Sequence, residues 1–258
     1  MEHANTTVTL LVPLLSIVIV LTILIARRRN LFIRRIEGLT AIDEAIGRTT
    51  EMGRPMVCSV GLGGLDVPTL QALSITTYII RASARFNNRV IVPVADATFY
   101  PITEEAVREA YVAEGHAEQF NADDVRFLSD RQFAFAASVA GLIAREKAAA
   151  CFYFGLFYAE SLIFAEMGQQ TGAIQVAGTP STTQIPFFIA ACDYVIIGDE
   201  FYAASAYLSR EPTLLGSIVG QDIAKGILIG IIILGSAIVS IAGANSSGAG
   251  LTIMNLFK

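Results

Sequence analysis

Charge is scarce in this chain. Only 16% of its 258 residues are Asp, Glu, Lys or Arg, against 53% hydrophobic, and mean hydropathy is +0.57. Soluble domains carry about a quarter charged residues, so part of the sequence is expected to lie in lipid. Tryptophan is absent, and histidine occurs twice, at His3 and His116, in different regions. The three cysteines, Cys58, Cys151 and Cys192, are far apart, each in or beside an apolar run, with no Cys-x-x-Cys. This spacing argues against a disulfide framework and against a zinc or haem site. It fits small buried hydrophobes in a reducing compartment. No Ser-His-Asp or Cys-His arrangement can be assembled, and no motif names a cofactor.

Basic residues are also unevenly placed. From Pro55 to Ala224 there are nine basic and eighteen acidic residues, net −9. A domain so charged is a poor partner for nucleic acid, whose phosphates need Lys and Arg.

What is present begins with two uncharged runs. Residues 8–26, "VTLLVPLLSIVIVLTILIA", would rise roughly 28 Å as a helix, close to the hydrocarbon thickness of a bilayer. Glu2 and His3 precede the run and Arg27, Arg28 and Arg29 follow it, which suits a retained anchor better than a cleaved signal peptide. Residues 226–244, "GILIGIIILGSAIVSIAGA", form the second predicted span. Arg27–29, Arg34 and Arg35 follow the first span and Lys225 precedes the second, so the positive-inside rule puts both flanks in the cytoplasm. The expected order is an outside N-terminus (1–7), a span (8–26), a basic segment with a helix (27–54), a cytosolic domain (55–224), a span (226–244) and an outside apolar tail (245–258). The basic segment carries net +3 and has anionic lipid headgroups within reach. Gly226, Gly230, Ser236 and Ser240 recur on one helix face, a spacing that lets another helix approach.

Between the spans, short apolar runs alternate with helical stretches. Strands are predicted at 56–61, 89–95, 125–129, 150–155, 173–178 and 194–198. Helices are predicted near 68–87, 103–114, 130–147, 158–168, 183–192 and 200–209. An earlier helix, near 40–52, opens on a capping-box pattern at Thr40-Ala41-Ile42-Asp43. Several runs are apolar on both faces, as strands covered on each side require. The pattern predicts an α/β fold: a Rossmann-like, doubly wound and mostly parallel sheet inserted between two transmembrane helices.

In such sheets ligands bind beyond the carboxyl ends of the strands, so candidate site residues are sought there. After the first strand come Gly61, Gly63, Gly64 and Asp66. They suit an anion-binding turn, although the spacing is not G-x-G-x-x-G and a plain tight turn explains them as well. Asp96 follows the second strand and Glu160 the fourth. A carboxylate at the start of an apolar helix must find a partner, face a cleft or offset a dipole. The stretch "AGTPSTTQIPFF" places Thr179, Ser181, Thr182 and Thr183 before a helix. Thr182 or Thr183 would cap that helix, and the surplus hydroxyls could cradle a phosphate, but no lysine or arginine lies nearby. Asp96, Glu160 and Glu200 could meet around a magnesium ion, although nothing in their spacing selects this.

The stretches "RRIEGLTAIDEAIGRTTEMGRP", "VIVPVADATFYP", "DDVRFLSDRQFAFAASVAG" and "FFIAACDYVIIGDEFYAASAYLSREP" resemble a bacterial family of membrane proteins known only as a domain of unknown function. The likeness spans about residues 33–225 and the flanking spans. It implies a protein of the bacterial cytoplasmic membrane and transfers no catalytic residue.

Two functions are therefore expected as alternatives. One is a non-catalytic structural or ligand-sensing subunit that forms homo-oligomers or joins other membrane subunits. The other is a membrane-bound enzyme or nucleotide-binding protein that takes a small phosphorylated ligand in the strand-end loops.

Overall fold

The computed structural model describes residues 6–28 and 37–244. In chain order the elements are α1 (Thr6–Ala26), α2 (Glu37–Met52), β1 (Met56–Gly61), α3 (Val67–Ala84), β2 (Val90–Val94), α4 (Tyr100–Ala113), β3 (Val125–Phe127) and α5 (Gln132–Glu146). There follow β4 (Ala150–Leu156), α6 (Ser161–Thr171), β5 (Ile174–Thr179), α7 (Ile185–Ala191), β6 (Tyr194–Ile197), α8 (Glu200–Ser209) and α9 (Pro212–Ala244). The chain divides into two compact units, residues 34–209 and the two terminal segments 1–33 and 210–258.

The central unit is a six-stranded sheet, every adjacent pair parallel, in the order β3-β2-β1-β4-β5-β6. The chain winds outward from β1 through β2 to β3, returns to β4 and winds outward the other way. Direction therefore reverses between β1 and β4. Burial on both faces explains the apolar strand sequences: all six residues of β1 are buried. Met56, Cys58, Val60, Phe152 and Phe154 pack into one core with α2, α3, α4 and α8. Val57, Cys151 and Tyr153 point the other way, into a core with α5, α6 and α7. Each fully buried side chain of this size contributes about 1.5–3 kcal/mol. Two polar side chains inside pair with each other: the Tyr153 hydroxyl donates to Gln175 Oε1 (3.1 Å), and Gln175 Nε2 donates to the Ala191 carbonyl (2.9 Å).

The three cysteines are free, and Cys58 and Cys151 are fully buried. Burial pushes all three thiols up, Cys151 to about 12.

β1 and β4 lose register beside their carboxyl ends, between Ser59 and Gly61. Gly61 (φ +89°) and Gly155 (φ +115°) sit at this irregularity. A β carbon on Gly61 would lie 2.5 Å from the Leu156 carbonyl oxygen, and one on Gly155 would strike the Val60 carbonyl oxygen. Only glycine suits both the backbone angle and the space.

In the terminal unit, α1 and α9 pack together and run antiparallel. A β carbon on Gly216 would lie 2.5 Å from Cα of Ile23, and one on Gly220 would press on Thr22 and Ile19. Thr22 and Ala26 are buried in this seam. Among the described residues one helix is long and apolar enough to cross a membrane, over Pro212–Ala237, and 11% of its span is buried. The apolar stretch of α1, Leu11–Ala26, is shorter than that length.

Several boundaries differ from expectation. Thr40 does not begin a helix: α2 is already helical from Glu37, so the apparent capping box lies inside it. The second span was expected from Gly226, but the helix that holds it, α9, is continuous from Pro212. Helix α6 starts at Ser161 rather than near 158, because Tyr158–Glu160 form a turn. Helix α1 already includes Thr6 and Thr7 of the expected outside N-terminus (1–7); residues 1–5 of it, the basic residues Arg29, Arg34 and Arg35, and the apolar tail (245–258) lie outside the described residues.

Candidate functional site

Parallel strands bring their following loops to one edge of the sheet, and the reversal between β1 and β4 sets two of those loops apart there. In the loop after β1, Asp66 is the N-cap of α3. Its Oδ1 accepts from the Thr69 amide (2.8 Å), and its carbonyl accepts from Leu70 (3.0 Å). Pro68 in the same turn has no N–H. The helix start is thus largely occupied by its own chain, which leaves little for an anion.

Gly63 and Gly64 lie against carboxylates. A β carbon on Gly63 would be 2.7 Å from Asp66 Oδ2 and would strike the Thr69 hydroxyl. One on Gly64 would be 3.0 Å from Asp96 Oδ2. The loops after β1 and β2 therefore meet, with Asp66 and Asp96 on either side of consecutive glycines. Asp96 accepts from the Thr98 hydroxyl (2.6 Å) and the Thr98 amide (2.7 Å). Those two bonds hold its carboxyl below the usual carboxylate range. Burial, and after it the carboxylates of Asp199 and Asp66, push the Tyr202 phenol up.

Across the reversal, Glu160 is fully buried in the turn before α6. Its Oε1 accepts from the Tyr158 amide (2.8 Å) and its Oε2 from Gln132 Nε2 (2.5 Å). Gln132 is the first residue of α5, so this carboxylate ties two helix starts together. Ser161 Oγ donates to the Tyr158 carbonyl (2.9 Å) and lies 3.4 Å from Gln184 Oε1. Gln184 in turn reaches Thr183 Oγ1 (3.4 Å), which lies 2.9 Å from Ser181 Oγ. Thr179 is buried and accepts from the Ser181 amide (3.2 Å). The Ser181 and Thr183 hydroxyls thus bond to each other, and Thr179 bonds the loop backbone.

Neither Thr182 nor Thr183 caps α7. The N-cap is Gln184, in helical conformation and without a side-chain capping bond. With seven residues, α7 is also short. The carboxyl-edge loops and the α8 start contain Asp66, Asp96, Asp130, Glu160, Asp199 and Glu200, set against Arg131. Among the described residues no three His, Cys, Asp or Glu side chains come close enough to hold a metal ion, so Asp96, Glu160 and Glu200 do not form the magnesium site considered from sequence. A shallow depression of about 490 Å³ lies along α4, lined by Pro101, Ile102, Glu105, Ala106 and Glu109, and includes none of the loop residues.

The loops after β1 and β2 adjoin at Gly63, Gly64, Asp66 and Asp96. Glu160 belongs with Thr179–Thr183 through Ser161 and Gln184. Sequence reasoning missed Gly155, although a glycine inside an apolar strand signals a bulge. It also missed Gln132 and Gln184, which carried no local signal. Of the helix-contact residues, Gly226 and Gly230 have nothing within 4 Å of a β carbon, whereas the α1 seam uses Gly216 and Gly220.

Residues 1–249 match a family described as Domain of unknown function (DUF6754). The chain belongs to that family. No curated protein matches, and no solved structure matches. Family membership covers both the sheet and the apolar helices, but it assigns no role to any of the loop residues.

Proposed function

We propose that this chain is a membrane-anchored, non-catalytic subunit, structural or ligand-sensing, that self-associates or joins a larger assembly in the bacterial cytoplasmic membrane. α9 carries the reading. It is a 33-residue helix whose apolar side chains Ile229, Ile232, Ile233 and Leu234 are each more than half exposed. Such a surface needs an apolar medium or a partner. α1, packed on α9 through Gly216 and Gly220, serves as the second span of a hairpin, and the basic flanks keep the α/β domain in the cytoplasm. The order β3-β2-β1-β4-β5-β6 supports a Rossmann-like, doubly wound reading of that domain. At the carboxyl edge, Asp66, Asp96, Glu160 and Thr179 are held in bonds that shape the loops, which favours a scaffold over a reaction centre. The test is light scattering on detergent-extracted protein. A particle of two or more chains is expected, and a strict monomer at every concentration would refute the assembly.

A second reading has one observation in its favour. Thr69 Oγ1 is fully buried with no hydrogen-bond partner and lies beneath Gly63, beside the reversal of strand order. A small ligand taken there would meet the carboxylates of Asp66 and Asp96. That surrounding favours a neutral or cationic group over the phosphorylated compound expected from sequence. A metabolite panel screened by thermal shift tests it: stabilisation lost in Thr69→Val supports the site, and no shift across the panel removes it.

A further inference from the structure

α1 and α9 meet in a fixed register. Ile23 and Ala26 fill the space above Gly216, and Ile19 and Thr22 the space above Gly220. The helices are antiparallel, so each step forward along α9 is a step back along α1. Asp222, two residues past Gly220, therefore lies at about the level of Ile17, and Lys225 at about that of Leu14. Ile17 is the middle residue of the uncharged run 8–26. The apolar stretch of α9, Pro212–Ala237, contains Asp222 and Lys225 and no other charged residue. Both are exposed. Gly216, Gly220 and the buried Ala224 follow the stripe of α9 that faces α1. With 3.6 residues per turn, Asp222, Lys225 and Ile229 fall on the opposite side. Gly226, next to Lys225, has open space around its missing β carbon.

We infer that the helix pair crosses the bilayer with Asp222 and Lys225 at mid-depth, and that α9 pairs there with α9 of a second copy, Asp222 of each chain bonding Lys225 of the other. This rests on the anchored, self-associating reading above and names its surface. It also moves the second span from 226–244 back towards Pro212. Were α9 to cross at 226–244 instead, the register would leave Leu14 to Ala26 of α1 outside the hydrocarbon. The exposed Ile17, Val20, Leu21 and Leu24 would then stand in water. Ionisable side chains at mid-depth turn towards a protein partner or a cavity, not towards lipid. Charge selects a second copy as that partner. The face carries one acid and one base about a turn apart, so it is complementary to itself. A two-fold axis along the membrane normal sets each acid near the other chain's base, twice over. The open space at Gly226 lets the two backbones approach, and polar bonds between membrane helices hold them. Sharing one bilayer orients both copies alike and raises their effective concentration.

The test uses the full-length protein in membranes, in a Cys192→Ala background. Ile229→Cys, oxidised by a membrane-permeant catalyst, is expected to run at twice the chain mass. Ile17→Cys, 56% exposed on the side of α1 away from α9, is expected to stay at single mass. In detergent, Lys225→Asp is expected to lower the particle mass by light scattering. Asp222→Lys combined with Lys225→Asp is expected to restore it, because the exchanged charges match again. Should Lys225→Asp fail to fold, the cross-link decides alone. Depth is read separately: Ile223→Cys is expected to resist a water-soluble maleimide in permeabilised cells. Ready labelling there overturns the mid-depth placement while leaving the anchor standing. A multimeric wild type with no Ile229→Cys cross-link, or with a cross-link to a different protein, overturns the pairing but not the assembly. An unchanged mass in Lys225→Asp overturns the pairing as well. A wild type that is monomeric throughout overturns the pairing and the assembly together.

Discussion

Gly61 and Gly155 stand on neighbouring central strands where β1 and β4 slip register, each with a carbonyl oxygen of the other strand in the place of its missing β carbon. This contact sits at the reversal of strand order, and it sets the paths of the loops that carry Gly63–Asp66 and Tyr158–Glu160.

Gly61→Ala and Gly155→Ala are therefore expected to destabilise the protein strongly. Each combines a positive-φ penalty with a collision against backbone, about 2–4 kcal/mol in all. Urea unfolding measures the loss. Gly172→Ala makes a useful contrast: it also has positive φ (+70°), but its added carbon would have nothing within 4 Å. It should cost only the backbone term, roughly 1–2 kcal/mol.

The helix pair makes a second, position-specific prediction. Gly216→Val and Gly220→Val should force α9 off α1, at a cost of about 1–2 kcal/mol in detergent. Gly226→Val should leave that contact intact, because space is open there. Thermal denaturation in detergent, read alongside a cross-link engineered between the two helices, separates the two outcomes.

Acid should weaken the loop after β2. The folded-state carboxyl of Asp96 is held below its ordinary value by Thr98, so its contribution is present above about pH 4 and is lost as pH falls through the lower folded value. Glu114, lowered first by its hydrogen bond with Arg85, adds a contribution of the same sign. Urea midpoints measured between pH 7 and 3 should fall towards acid. Thr98→Val should reduce the neutral-pH stability and flatten that fall.

Much of this architecture was legible in the sequence. Strands such as Met56–Gly61 are apolar on both faces, and a period that short and that greasy leaves few alternatives to a covered parallel sheet. Strand order was not legible, since it depends on which crossovers pack and not on any local signal. The same applies to Glu160. Its need for partners could be read from its apolar surroundings, but its donor Gln132 lies 28 residues away. Thr40 misled for the opposite reason: a capping pattern is local, and the helix continues through it from Glu37.

Glu160 offers a test of that long-range contact. Glu160→Ala would leave the Gln132 amide and the Tyr158 N–H without their acceptor in a buried turn, at a cost of about 1–3 kcal/mol. Gln132→Ala should cost less, since Tyr158 still bonds the carboxylate. A double-mutant cycle by chemical denaturation should give a coupling of roughly 0.5–3 kcal/mol.

The anchored arrangement itself is tested most directly by thiol accessibility in intact bacterial cells. A Phe86→Cys variant places an exposed thiol on the α/β domain, while Cys58 and Cys151 remain buried; Cys192→Ala removes the third native thiol. A membrane-impermeant maleimide is expected to leave this protein, recovered in the membrane fraction, unlabelled until the cells are permeabilised. Full labelling of the thiol in unbroken cells, or recovery of the protein in the soluble fraction, would contradict the account.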